Sequence, residues 1–143
     1  INELIQNLDF APTFLDYANI SKPSDIQGLS FRKLLNNQSK KIKWRDAIYY
    51  TYYEYPSVHM VKRHYGIRTK QYKLMHFYYD IDEWEMYDLD NDPSEMKNIY
   101  NDPKYSEIKE NLHVRLSKLK LEYGDSDSLN QMHIKRYLKS KKK

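Results

Sequence analysis

Residues 49 to 79 read YYTYYEYPSVHMVKRHYGIRTKQYKLMHFYY, and this stretch constrains the fold more than any other. It holds most of the chain's 15 tyrosines and three of its five histidines. Aromatic and β-branched residues suit a pleated, half-buried surface. Ala47 to Tyr53 therefore reads as a first strand. From Met60 to Thr69, Val61, Tyr65 and Ile67 alternate with Lys62, His64 and Arg68, the period of a strand with one buried face. Gln71 to Tyr79 is a third run, separated from the second only by a short turn around Thr69-Lys70, which predicts an antiparallel hairpin. Trp84 to Leu89 is a fourth, entered through the acidic turn Asp80-Ile81-Asp82.

Helical signals flank these strands. LDFAPTFLDYANI, residues 8 to 20, reads as a short helix capped by Asp9, with Pro12 in its first turn and Phe10, Phe14, Leu15 and Ala18 on one face. SKPSD, residues 21 to 25, is a linker, and a second helical piece is expected over Ser30 to Asn36. Residues 36 to 43 read as a polar surface loop. Asn91-Asp92-Pro93 and Asn101-Asp102-Pro103 each look like a helix start, the first with Glu95 completing a capping box. The second opens the longest helix, about Pro103 to Tyr123, with Tyr105, Ile108, Leu112, Leu116, Leu119 and Tyr123 at helical spacing and Gly124 as its stop. The expected fold class is α+β: a four-stranded antiparallel sheet packed against this long helix, since neither buries its apolar side alone. The expected division is 1–46, then 47–125, then a basic, loosely ordered tail over 126–143 with at best a short helix near Met132 to Leu138.

The net charge of +4 is uneven: Lys135 to Lys143 carry six Lys or Arg and no acid, so the basicity belongs to the tail and argues against nucleic acid as a partner. Without cysteine the chain has no thiol nucleophile, disulfide or thiolate metal site. No apolar run approaches the roughly 18 residues needed to span a membrane. The opening at Ile1, in mid-element, reads as a piece of a longer protein.

Among reactive side chains, His59 stands out. It lies between the first two strands beside Pro56, where a side chain can reach beyond the sheet to bind anions or donate hydrogen bonds, although a plain surface histidine fits as well. His64 shares a strand face with Lys62 and Arg68. His76 reads as structural, and His113 and His133 as solvent-facing. Arg63, Arg68 and Lys73 can bind sulfate, phosphate or carboxylate, or pair with Glu54, Glu83 or Glu85 across the sheet. The tyrosines suit a small domain's core and its rim, or a platform for sugar faces. The acids from Asp80 to Asp92 lack the calcium-loop pattern and read as turn and cap residues.

Several pieces occur here in a telling order: LDFAPTFLDYANI, P-x-x-IQG-x-SF-x-x-LL, W-R-D, YYEYP-x-x-H, HYGIRT-x-x-YKL and WE-x-YDL-x-x-DP-x-E-x-x-N. The ordered set, about residues 3 to 125, resembles the C-terminal part of bacterial type I sulfatases, the formylglycine-dependent enzymes with an alkaline-phosphatase-like core. It is similar in tone to glycosaminoglycan and N-acetylglucosamine-6-sulfatase-like enzymes of gut Bacteroidetes. The last piece is the most specific, carried by Trp84, Glu85, Tyr87, Asp88, Leu89, Asp92, Pro93, Glu95 and Asn98.

The resemblance implies the fold already expected, with residues 1 to 20 as the last helix of a preceding large α/β domain. It implies a sulfuric ester hydrolase, periplasmic or secreted, acting on a sulfated carbohydrate, with that large domain as this chain's partner. The family's formylglycine arises from C/S-x-P-x-R. The nearest match, Ser21-Lys22-Pro23-Ser24-Asp25, ends in Asp25 instead of Arg, so the formylglycine and the calcium ligands are expected upstream and this chain alone is expected to be inactive. What remains for it is one wall of the substrate pocket, which the resemblance assigns to Glu54, Tyr55, His59, Arg63 and His64. His59 comes first, hydrogen-bonding the sugar or the leaving hydroxyl. The alternative is a non-catalytic carbohydrate-binding module.

Overall fold

The computed structural model describes residues 2–36, 42–56 and 59–140. Parts of the expected 36–43 loop, Ser57 and Val58 of the loop before His59, and the last three lysines lie outside the described residues. The chain forms two compact units, Ile1–Ile48 and Tyr49–Lys143.

The first unit is built around a buried carboxylate. A single 3-10 turn, Asn7–Asp9, runs into α1, Phe10–Tyr17, and α2 follows at Arg32–Leu35. Asp9 does not cap α1 as expected: its side chain is wholly buried and turned back toward the chain before it. Its two oxygens accept from the Gln6 amide at 2.8 Å, the Leu29 amide at 2.9 Å and both Nη atoms of Arg45. The face expected to be apolar is therefore not the buried one. Pro12 and Thr13 face inward with Asp9, while Phe14 is 67% exposed and Phe10 46%. Thr13 Oγ1 donates to the Asp9 carbonyl at 2.6 Å and accepts from the Phe31 amide at 3.1 Å, which ties α1 to the start of α2. Phe31 and Leu34 bury their side chains there.

The second unit is the sheet and its helices. β1 (Ala47–Tyr52), β2 (His64–Thr69), β3 (Tyr72–Phe77) and β4 (Glu83–Asp88) form an antiparallel sheet in the order β1-β2-β3-β4. The expected hairpin is present, with Tyr65 opposite His76 and Ile67 opposite Leu74. β4 continues the register, with Leu74 opposite Met86 and His76 opposite Trp84. Because side chains alternate across a sheet, Tyr65, Ile67, Leu74, His76, Trp84 and Met86 share one face. Ile67, Leu74 and Met86 are fully buried. α3, Ser106–Glu122, packs on β2 and β3 and adds Leu112 and Leu116 to that core. The opposite face carries Tyr50, Tyr52, His64, Arg68 and Lys73. There Gly66 lets the backbone approach Tyr50: a Cβ at this position would lie 2.6 Å from the Tyr50 hydroxyl and 2.5 Å from the Leu74 carbonyl oxygen.

The two Asp-Pro signals behave differently. Asp102 caps as expected, accepting from the Lys104 amide at 3.0 Å above a 3-10 turn, Pro103–Tyr105, that leads into α3. Asp92 starts no helix. Glu95 has a φ of +55°, outside the helical region, and its carboxylate pairs with Lys73 instead of folding back onto a cap. Gly124, with φ of +70°, ends α3, and the Asp125 amide returns to the Lys120 carbonyl at 2.9 Å. The segment expected to be loosely ordered instead forms α4, Asp127–Ser140. Ser126 Oγ accepts from the Leu129 amide at its start, Asp127 pairs with Lys120, and Asn130 and Ile134 are buried. No helix among the described residues is long and apolar enough to cross a membrane.

Candidate functional site

β1 and β2 are joined by residues 53 to 63, a longer connection than those between β2 and β3 or β3 and β4. Its base is firmly held. Arg63, 4% exposed, donates from Nε to the Tyr55 carbonyl at 2.7 Å. Its guanidinium lies 5.5 Å from the Tyr79 ring centre and 5.7 Å from that of Tyr137 in α4, positions that favour a cation beside an aromatic face. Lys62 donates to the Tyr55 hydroxyl at 3.0 Å, sits 4.4 Å over the same ring, and pairs with Asp80. That hydrogen bond holds the Asp80 carboxyl below its usual range and, with the Tyr55 bond, raises the Lys62 ammonium. Tyr55 also packs edge-on to Tyr79 at 6.2 Å and precedes a cis peptide bond to Pro56.

The five expected wall residues thus divide. Tyr55 and Arg63 are in direct contact. His64 sits next to them on β2, its Nδ1 2.8 Å from the Lys62 carbonyl oxygen, stacked on Tyr52 and tilted against Phe77. Glu54 and His59 are exposed and make no hydrogen bond or ion pair among the described residues. Two outward-facing side chains therefore stand on a base locked by charge and aromatic contacts. Sequence reasoning missed Lys62, Asp80, Tyr79 and Tyr137. Extending the hairpin register beyond His64 opposite Phe77 would have placed Arg63 and Lys62 beside Tyr78 and Tyr79. Nothing in the sequence signalled a role for Tyr137, because only a short helix near Met132 to Leu138 was expected in a loosely ordered tail.

A second cluster of aromatic and histidine side chains lies under α3. His76 stacks flat on Trp84 at 4.2 Å, with Nδ1 3.0 Å from the Tyr65 hydroxyl and Nε2 2.6 Å from Asp82. Trp84 also stacks on Tyr100 and takes His113 edge-on at 4.4 Å. His76 is structural, as expected. His113 is not solvent-facing: its Nε2 lies 3.2 Å from the Tyr100 hydroxyl, and burial, with Lys109 and His76 nearby, lowers its pKa. His133 is likewise half-buried, stacked on Tyr53. Lys73 pairs with Glu95, not with the glutamates expected across the sheet.

The acids from Asp80 to Asp92 have turn and pairing roles. Asp88 accepts from the Asp90 amide at 3.2 Å and the Asn91 side chain at 2.8 Å, and Asp92 from the Lys97 amide at 2.8 Å. Asn98 lies along β4: its Oδ1 accepts from the Met86 amide at 3.0 Å and its Nδ2 donates to the Trp84 carbonyl at 3.1 Å. Among the described residues no group of three or more His, Asp or Glu is placed to hold a metal ion. The described residues therefore do not fit a calcium centre, and with no cysteine and with Asp25 in place of Arg in the one near match, Ser21 to Asp25, the sequence does not fit a formylglycine centre.

Residues 1–122 match the family model of the N-sulphoglucosamine sulphohydrolase C-terminal region. This chain belongs to that family. Within this sulphohydrolase family it is 54% identical over 122 residues to an N-acetylglucosamine-6-O-sulfatase of Bacteroides thetaiotaomicron, covering 85% of this chain and 22% of that protein. It is 34% identical over 106 residues to an arylsulfatase of Clostridium perfringens, covering 74% and 20%. The solved structure of BT4656 in complex with its substrate D-glucosamine-2-N,6-O-disulfate superposes with a TM-score of 0.77 at 52% identity, covering 83% of this chain and 24% of that one. The chain therefore spans about a fifth to a quarter of the proteins it matches. In this chain the Trp84–Asn98 motif is architecture: Trp84 centres the aromatic stack, Asp88 and Asp92 shape the turn, and Asn98 lines the sheet edge. α4 begins at Asp127, past the last residue that the sulphohydrolase family model matches.

Proposed function

We propose that this chain supplies one wall of the substrate pocket in a sulfatase that hydrolyses sulfate esters of glycans such as glycosaminoglycans. The observation that carries the reading is its 54% identity to an N-acetylglucosamine-6-O-sulfatase across the sheet and α3. The similarity to BT4656 directs the choice of substrate toward sulfated glucosamine units. Formylglycine, calcium and the reacting sulfate belong to a domain upstream of these residues, and the whole enzyme is periplasmic or secreted.

In this reading His59 and Glu54 touch the sugar. His59 donates or accepts a hydrogen bond at a hydroxyl, and Glu54 accepts one. Tyr55 offers its ring and hydroxyl at the rim. Arg63 and His64 are positioning residues: Arg63 fixes the Tyr55 carbonyl, and His64 stacks on Tyr52 and meets the Lys62 carbonyl. A sugar held in one orientation across a cleft loses less freedom on reaching the transition state, which can remove several kcal/mol from the barrier.

The longer polypeptide containing this chain should desulfate 6-O-sulfated glucosamine, and the chain alone should not. There His59→Ala should lower kcat/KM at least about tenfold, on the order of 1.4 kcal/mol. Kinetics equal to wild type would remove His59 from the wall. Tight glycan binding without desulfation by the longer polypeptide would instead favour a carbohydrate-binding module.

A further inference from the structure

α4 has two distinct sides. One is anchored: Asn130 and Ile134 are buried, His133 stacks on Tyr53, and Tyr137 lies beside Arg63. The other side carries Ser128, Gln131, Met132, Lys135, Arg136 and Lys139, spaced three and four residues apart as one stripe of a helix must be. They line a shallow groove of about 470 Å³. No carboxylate among the described residues lines it. Lys135, Arg136 and Lys139 are exposed and make no hydrogen bond or ion pair among the described residues. The single acid of α4, Asp127, is engaged by Lys120 at the far end.

We infer that this outer face of α4 is an exosite for an extended sulfated polysaccharide. The ligand class rests on the sulfatase reading above; the surface itself does not. Three reasons favour it over a merely solvated helix face. The cations are concentrated: Lys135 and Lys139 stand about 6 Å apart along the axis, with Arg136 between them, so sulfates on one chain can meet all three. Their charge complements a polyanion, and their aliphatic stems together with Met132, 37% exposed, give the sugar faces an apolar floor. The helix also begins past the last residue that the family model matches, so the face can differ from one relative to another without disturbing the matched fold. Held at this face, a polymer stays tethered to the protein between encounters with the pocket.

The test is titration of the chain with heparin, hyaluronan (anionic but unsulfated) and random-sequence duplex DNA at low salt. Wild type should bind heparin in preference to the other two, with affinity falling steeply as salt rises. K135Q/R136Q/K139Q should bind heparin at least about tenfold more weakly, while K33Q/K97Q/K118Q, which removes the same charge from exposed lysines elsewhere, should stay within about twofold of wild type. K135R/K139R should retain binding, and circular dichroism should show α4 intact in every variant. Equal weakening by the two triple variants, or DNA binding as tight as heparin binding, would overturn the exosite. Heparin binding that depends on α4, with no desulfation by the longer polypeptide, would support the exosite and count against the sulfatase reading.

Discussion

Asp9 shows how much one side chain can organise. Burial works to raise its pKa, but the hydrogen bonds from Arg45, Leu29 and Gln6 and the charge of Arg45 outweigh it, and the net shift is downward. The carboxylate joins three separate stretches of the first unit, so removing it leaves Arg45, with only 10% of its side chain exposed, without its counter-charge. Breaking a buried pair from one side costs about 3–5 kcal/mol. Urea titration of Asp9→Ala should show a loss of that size, and a loss below about 1 kcal/mol would mean that water satisfies Arg45. In the sequence, Asp9 before Phe10-Ala11-Pro12 has every mark of a helix cap. Its true partners are 20 and 36 residues away, a separation that local pattern reading does not reach.

At the scale of elements, the strands were the most legible part, because one buried face imposes a period of two on Tyr65, Ile67 and Leu74. The ends were less so. The strand expected from Met60 begins only at His64: Arg63 breaks the apolar phase of Val61, Tyr65 and Ile67 and is held by the Tyr55 carbonyl and by aromatic rings. α4 was legible only as a short piece near Met132 to Leu138 for a related reason: its apolar content is low, and what stabilises its full length is a Ser126 cap, the Asp127–Lys120 pair and ring contacts that need the finished fold. Within the candidate wall, the loop could be located from YYEYP-x-x-H, but not which residues point out and which hold it up. Within the sheet, Gly66 leaves no room for a side chain. A methyl there must displace the Leu74 carbonyl or the Tyr50 ring. Overpacking of this kind costs about 1–3 kcal/mol. Gly66→Ala should lower the thermal midpoint accordingly and perturb the near-ultraviolet tyrosine signal, and an unchanged midpoint would show that Tyr50 moves aside freely.

For the whole molecule, the perturbed carboxylates and His113 set the response to acid. Hydrogen bonds from Ser30 and Lys62 hold Asp16 and Asp80 below the usual 3.8. Asp9 and Asp88 end there too, despite burial acting the other way. A depressed carboxyl pKa stabilises the fold fully above 3.8, and that stability is lost as pH falls through the folded-state values. His113 is depressed from 6.5, so its contribution is complete above that pH and declines below it. The melting temperature should therefore begin to fall as pH drops below 6.5 and fall more steeply below 3.8. His113→Gln should abolish the first decline, and Asp9→Asn should reduce the second. A melting curve flat down to pH 3.8 in wild type would contradict the His113 assignment.

The place of Asn98 also bears on the outer edge of the sheet. β4 is the last strand of the sheet, and an outer strand ordinarily offers a ladder of unpaired amides and carbonyls to any neighbouring chain. Here the Asn98 side chain occupies the Met86 amide and the Trp84 carbonyl, and the Ile99 amide takes the Met86 carbonyl at 2.9 Å. A single amide side chain thus imitates a fifth strand without continuing into one. On that side, the Met86 amide and carbonyl and the Trp84 carbonyl are already taken and cannot pair with a neighbouring strand.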